Sequence, residues 1–208
     1  TPESLREQVA WDVVWNKYAR SHVADEQLQA YFNAHHRDFD GTEVRASHIL
    51  LRPAGSGSPG AIDALVKRAQ SLREEIVSGK LTFEDAARRF SAGPSRNQGG
   101  DVGYFPRHDR MVEAFSAAAF ALEPGAISQP VVTYFGVHLI KCTDVKPGAK
   151  SWQDVRSDLL TPAAKDLFTR LSAELRSKST VEFTGAVPYL DPATKRLVVP
   201  QAAGPGRS

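Results

Sequence analysis

Residues 44–51 read VRASHILL, an apolar strand-like run with His48 at its centre. Two further stretches have to be read with it. Residues 98–105 (QGGDVGYF) form a glycine-rich bend, and residues 135–141 (FGVHLIK) form a second strand-like run that carries His138. A histidine inside an apolar strand must find hydrogen-bond partners or carry a real burial cost. Two such histidines in one small domain are expected to serve each other.

Outward from these stretches the sequence reads as helices and turns. Leu5, Val9, Val13 and Tyr18 recur at helical spacing, with Trp11 and Trp15 as a neighbouring stripe. Asp25 is placed to cap a second helix over residues 25–39, with Leu28, Tyr31, Phe32 and Phe39 on its apolar face and Asp40-Gly41 as its stop. His35 and His36 are adjacent, point in different directions on a helix, and read as solvated surface. After the first strand, RPAGSGSPG (52–60) is a flexible loop by composition. Ile62, Leu65, Val66, Ala69, Leu72 and Ile76 mark the next helix, which ends at Gly79; Thr82 with Asp85 opens a short one. Met111, Val112, Phe115, Ala119 and Leu122 define another, and VVTYFGVHLIKC (131–142) reads as a hairpin bending at Phe135-Gly136.

A helical stripe follows Ser151, with leucines at 160, 167, 171 and 175; Pro162 predicts a kink or a division into two helices. VEFTGAV (181–187) is a short strand candidate, and the Pro/Gly/Ala-rich tail from 188 reads as loose, with RLVVP as one extended piece. The sequence opens on what reads as the inside of a helix, as expected of a trimmed or processed chain.

Composition removes several function classes. The 208 residues carry 41% hydrophobic and 24% charged side chains, an ordinary globular balance. The net charge is +2, with neither a Lys/Arg block nor an aromatic-interleaved basic stripe, which argues against nucleic acid as a partner. No apolar run approaches the ~20 residues of a membrane helix. The single cysteine, Cys142, excludes an intramolecular disulfide and a cysteine-rich metal site. GGDVG lacks the spacing and the following lysine of a phosphate loop.

Read in order, VRASHILL, QGGDVGYF and FGVHLIK resemble the PpiC-type parvulins, a family of peptidyl-prolyl cis/trans isomerases (rotamases). The likeness runs from about residue 43 to 147. It implies an α+β fold, a small antiparallel β-sheet surrounded by helices, and an enzyme needing no cofactor. It also implies site roles. His48 and His138 match the family's two facing histidines, Thr133 the hydroxyl residue beneath them, and Met111 and Phe115 the clasp on the substrate proline, with Val102 and Phe105 near the same wall. Two departures stand out. The family usually places Cys or Asp two residues after the Ser of its FS; here that slot is Gly93. Phospho-specific members carry a basic cluster after the first strand, where this sequence has Arg52 alone, so phosphopeptide specificity is not expected.

The flanks resemble those of extracytoplasmic foldases of the SurA, PrsA and PpiD type. The implied organisation is an N-terminal helical segment (1–42), an isomerase domain (43–147), a C-terminal helical segment with a short strand (148–187) and a loose tail (188–208). Trp11, Trp15 and Trp152 suggest that the two helical segments pack into one chaperone-like unit with an exposed apolar strip. That strip would hold clients or drive self-association. The expected function is isomerisation of prolines in unfolded secreted or envelope proteins, in the periplasm or cell envelope. The alternative is a client-binding chaperone module with little or no turnover, and Gly93 is the feature that separates the two.

Overall fold

A computed structural model describes residues 2–53, 60–180, 189–190 and 197–198. They fall into two compact units, Thr1–Ala163 and Ala164–Ser208. In chain order the first unit contains α1 (Pro2–His22), α2 (Asp25–Ala34), α3 (His36–Phe39), β1 (Glu43–Leu51), α4 (Ala61–Val77), α5 (Phe83–Phe90), β2 (Asp101–Pro106), α6 (Glu113–Phe120), β3 (Val131–Thr133) and β4 (Gly136–Lys146). It ends in α7 (Arg156–Lys178), whose later turns fall in the second unit.

The sheet runs β2-β1-β4-β3, antiparallel at every step. Strand alternation divides β1 and β4 between two cores. Ile49, Leu51, Val137 and Leu139 face α4 and α5, where Ala69, Leu72, Phe83, Ala86 and Ala87 close over them. Val44, Ala46, Ile140 and Cys142 face α6 and pack on Phe115, Ala119 and Phe120. The mostly continuous burial of β1 explains why its sequence runs apolar instead of alternating: a central strand covered on both sides has no solvent face. The capping turn expected at Thr82 is present. Its hydroxyl accepts from the Asp85 amide at 3.1 Å and donates to the Asp85 carboxylate at 2.8 Å.

Several expectations are corrected. The helix expected over 25–39 divides at His35, whose φ of −129° leaves the helical region; the Tyr31 and Phe39 rings meet edge-on at 6.1 Å across the break. Asp25 is the first helical residue and Ala24 the cap, with the Ala24 amide donating to Gln27 Oε1 at 3.1 Å. The bend of the hairpin is Tyr134-Phe135. The Thr133 hydroxyl accepts from the Phe135 amide at 3.1 Å, closing a local turn there, and Gly136 is drawn into β4. Helix α7 does not divide at Pro162. The ring removes only the donor to the Asp158 carbonyl, and Asp158 is solvent-exposed, so water can take that place. The strand candidate at 181–187 lies outside the described residues. So does most of the 52–60 loop and, apart from two short paired strands, Tyr189–Leu190 and Leu197–Val198, most of the tail.

The stripe on α1 faces solvent: Leu5, Val9, Val13 and Val14 are each more than half exposed. Its aromatic residues stack along the helix instead, Trp15 on Trp11 at 6.5 Å and on Tyr18 at 5.6 Å. Asp25 pairs with Arg156 at 2.8 Å, joining the N-terminal helices to the first turn of α7.

The two connections of the sheet domain lie against each other just beyond the Glu43–Lys146 end of the β1–β4 pairing. Asp40 Oδ1 accepts from the Thr42 amide at 2.7 Å, the Thr42 hydroxyl accepts from the Gly148 amide at 3.1 Å, and the Asp40 carbonyl accepts from the Lys150 amide at 2.9 Å. A Cβ on Gly148 would fall onto the Asp40 carbonyl, so only glycine lets the two backbones come this close.

Candidate active site

The register of β1 against β4 pairs His48 with Ile140 and Leu50 with His138, so the two histidines are diagonal neighbours on the α6 face of the sheet. Their rings stack at 5.4 Å with Nδ1 of each 3.2 Å from the other. Thr133, on β3, sits 2.9 Å from His138 Nε2. Its hydroxyl proton has two acceptors within reach, that nitrogen and the Gly136 carbonyl at 3.5 Å, and we assign it to the nearer one. A single direction follows along the chain of bonds: Thr133 donates to His138, His138 Nδ1–H donates to His48 Nδ1, and His48 Nε2 is left as an N–H.

Both rings are nearly buried, at 8% and 4% exposure. Burial, with the positive charge of His48 and Arg52 acting in the same direction, pushes His138 down to about 4. Burial also lowers His48. The pair is therefore neutral at neutral pH. Phe115 meets both rings edge-on, at 5.6 Å and 5.5 Å, and closes the apolar side of the network.

The loop before β2 fixes His48 from the other side. The Gly100 carbonyl accepts from the His48 amide at 2.9 Å, and a Cβ on Gly100 would overlap the His48 carbonyl. The Ser91 hydroxyl accepts from the amides of Leu50 and Gly93, each at 3.1 Å. This pins the 91–93 turn to the end of β1, with Gly93 beside His48 Nε2.

In front of the histidines lies a cleft of about 700 Å³ whose walls include Leu50, Val102, Met111, Val112 and Phe115. His48, His138, Met111, Phe115 and Val102 are brought together here, with Thr133 one bond behind. Phe105 is not on the wall. It is fully buried and supports Phe115 from behind at 5.9 Å. Sequence reasoning missed the cleft's outer rim, Tyr134 and Phe135, whose rings lie 4.1 Å apart at the hairpin tip. Consecutive aromatics at a two-residue turn were the available signal. Arg52, Asp109 and Arg110 stand at the mouth, and Arg110 is occupied with the Tyr104 carbonyl at 2.5 Å. His35 and His36 are both exposed and far from this arrangement in sequence and element. No group of three metal-ligating side chains occurs among the described residues.

The site offers an apolar slot, a neutral polar chain ending in an N–H, and no activated nucleophile. Such a set can bind and twist an amide. Comparisons with known proteins point the same way. The family profile of the PPIC-type PPIASE domain (Rotamase) matches residues 48–144. The foldase protein PrsA of Bacillus subtilis (strain 168) is 32% identical over 157 residues, 74% of this chain and 47% of its own length. Peptidyl-prolyl cis-trans isomerase Pin1 of Malus domestica is 41% identical over 116 residues, 50% of this chain and 95% of its own. The chaperone SurA of Cupriavidus metallidurans is 35% identical over 147 residues, 68% of this chain and 28% of its own. The chain thus spans about half the length of the PrsA relatives it matches.

Proposed function

The chain belongs to the PpiC-type peptidyl-prolyl isomerase family, and from that premise we propose that it interconverts cis and trans Xaa-Pro bonds in unfolded polypeptides outside the cytoplasm. The observation that carries this reading is the neutral His48–His138 pair set against Phe115 at the floor of an apolar cleft.

The reaction breaks no covalent bond. Its barrier of ~18–20 kcal/mol is the resonance of the amide, lost when the bond is half-turned. A catalyst lowers it by gripping the proline ring and by stabilising the twisted form. Met111, Phe115, Val102 and Val112 supply an apolar grip and keep water away, and the planar amide, with its separated charge, is less favoured there. His48 lines the same space with Nε2 beside the 91–93 turn, and the polarity of its ring acts on the amide as it twists. His138 and Thr133 act through His48, holding its ring and its tautomer.

The clients are proline-containing unfolded chains without a phosphate requirement. Arg110 gives one donor to the Tyr104 carbonyl and Asp109 offsets one of the two positive charges of Arg52 and Arg110, which leaves the cleft mouth only weakly positive for a phosphate. The exposed strip of Leu5, Val9, Val13 and Val14 on α1 is the surface through which the flanks hold clients or a second copy of the chain. Placement outside the cytoplasm rests on the foldase and chaperone relatives. No helix among the described residues is long and apolar enough to cross a membrane.

Gly93 favours a second reading, client binding with little turnover, because the turn beside His48 Nε2 brings no side chain of its own. An exchange assay on proline tetrapeptides separates the two. Under the first reading the protein accelerates exchange, and Met111→Ala and His48→Ala each slow it by about tenfold or more, about 1.4 kcal/mol. Tight peptide binding without acceleration supports the second.

A further inference from the structure

Beside the cleft lies a second groove, of about 730 Å³, that proline binding does not use. Three separate pieces of chain build it: Phe39 on α3, Pro106 and His108 at the end of β2, and Val155, Asp158 and Pro162 at the start of α7. Asp109 lines both this groove and the proline cleft, so the two openings meet at one residue. Asp109 holds a left-handed φ of 70° at the point the two share.

The chemistry of the groove narrows its ligand. Arg107, on the inner wall, is matched by Asp38 at 3.3 Å and by Glu113 at 2.5 Å, which uses up its charge. The floor is then apolar, from Phe39, Pro106, Val155 and Pro162. The exposed edge carries both signs, Lys150 against Asp158. Small anions and metal ions need a concentrated charge, which is missing. An extended polypeptide fits: apolar side chains for the floor, backbone groups for the polar edge, and continuity with a cleft that already takes one residue of the same chain.

We infer that this groove is a second binding site for the client, holding the stretch of polypeptide next to the proline in the cleft. The inference rests on the isomerase reading above. It also gives the flanks a role in substrate binding, since Asp38 and Phe39 of α3, Asp158 and Pro162 of α7 and Val155 just before α7 line the groove.

Two kinds of peptide built on one Xaa-Pro pair test this with the full chain: a tetrapeptide, and versions extended to either side to about twelve residues, each residue adding ~3.3 Å of reach. By amide chemical-shift mapping, the tetrapeptide is expected to move His48, Met111, Phe115 and His138. One of the extended peptides is expected to move Phe39, His108 and Asp158 as well, and to bind on the order of tenfold more tightly. Asp158→Trp, which crowds the groove from its edge, is expected to abolish that gain. Extended peptides that move only the cleft residues, or a gain that survives Asp158→Trp, overturn the second site and leave the isomerase reading standing. Peptides that move no cleft residue overturn both.

Discussion

A side chain at Gly93 would place its Cβ 3.0 Å from His48 Nε2 and 3.2 Å from Ser91 Oγ. The backbone there is extended, with φ −77° and ψ 156°, a conformation open to any residue. What glycine leaves out is therefore a partner for the outward N–H of His48. Gly93→Asp should supply one, since a carboxylate accepts that hydrogen and makes the ring a stronger pole against the twisting amide. Exchange rates measured by NMR should rise, on the order of tenfold, about 1.4 kcal/mol. A folded variant with unchanged or slower exchange would show that the open space matters more than the missing charge.

Acid should unlock the histidine pair. Unfolded, each ring takes up a proton near 6.5; folded, His138 resists until about 4 and His48 is also lowered. Unfolding therefore binds protons between those values, and stability falls as pH drops from about 6.5 toward 4. Denaturant titrations at neutral pH and near pH 5 should show the loss, and His138→Gln should flatten it. Exchange activity should hold steady from pH 8 to about 6.5 and be lost toward pH 4, where His138 takes up its proton.

Thr133→Val keeps the shape of the side chain and removes the hydroxyl that orients His138. We expect about a tenfold loss in kcat/KM, about 1.4 kcal/mol, and recovery in Thr133→Ser. A merely structural role for the residue would leave the two variants with equal activity and a shared loss of stability.

Gly100 and Gly103 both adopt positive φ, of 87° and 72°, yet only Gly100 lies against another backbone. Gly103→Ala should cost about 1–2 kcal/mol, the strain of the left-handed conformation. Gly100→Ala adds a collision with the His48 carbonyl and should cost more than about 4 kcal/mol, an unusually large loss for one methyl group. Thermal or chemical denaturation of the pair measures the difference.

The parts of the fold most legible in the sequence were those fixed by local pattern. Apolar runs bounded by turns gave the strands, and a hydroxyl three residues before an acid gave the cap at Thr82. The pairing of His48 with His138 was legible because two polar rings in apolar strands have few other ways to be satisfied. Features set by distant packing were not legible. Phe105 and Met111 look alike as apolar residues near the site, but the pairing of Phe105 with Val44 in the sheet hides the first, while Met111, in the turn before α6, lines the cleft. The break at His35 depends on Phe39 packing back toward Tyr31, and the second groove needs three segments brought together from across the chain.

The contact at Asp40, Thr42, Gly148 and Lys150 also has a mechanical consequence. The sheet domain is tied off at its base, so a pull applied between α3 and α7 is carried by hydrogen bonds at the junction before it reaches β1 or β4. While the junction holds, a pull on the flanks is kept off the strands that carry His48 and His138. In an optical trap, the first rupture should release only the few residues around the junction. Gly148→Ala, which forces the two backbones apart, should erase that step and load the sheet directly.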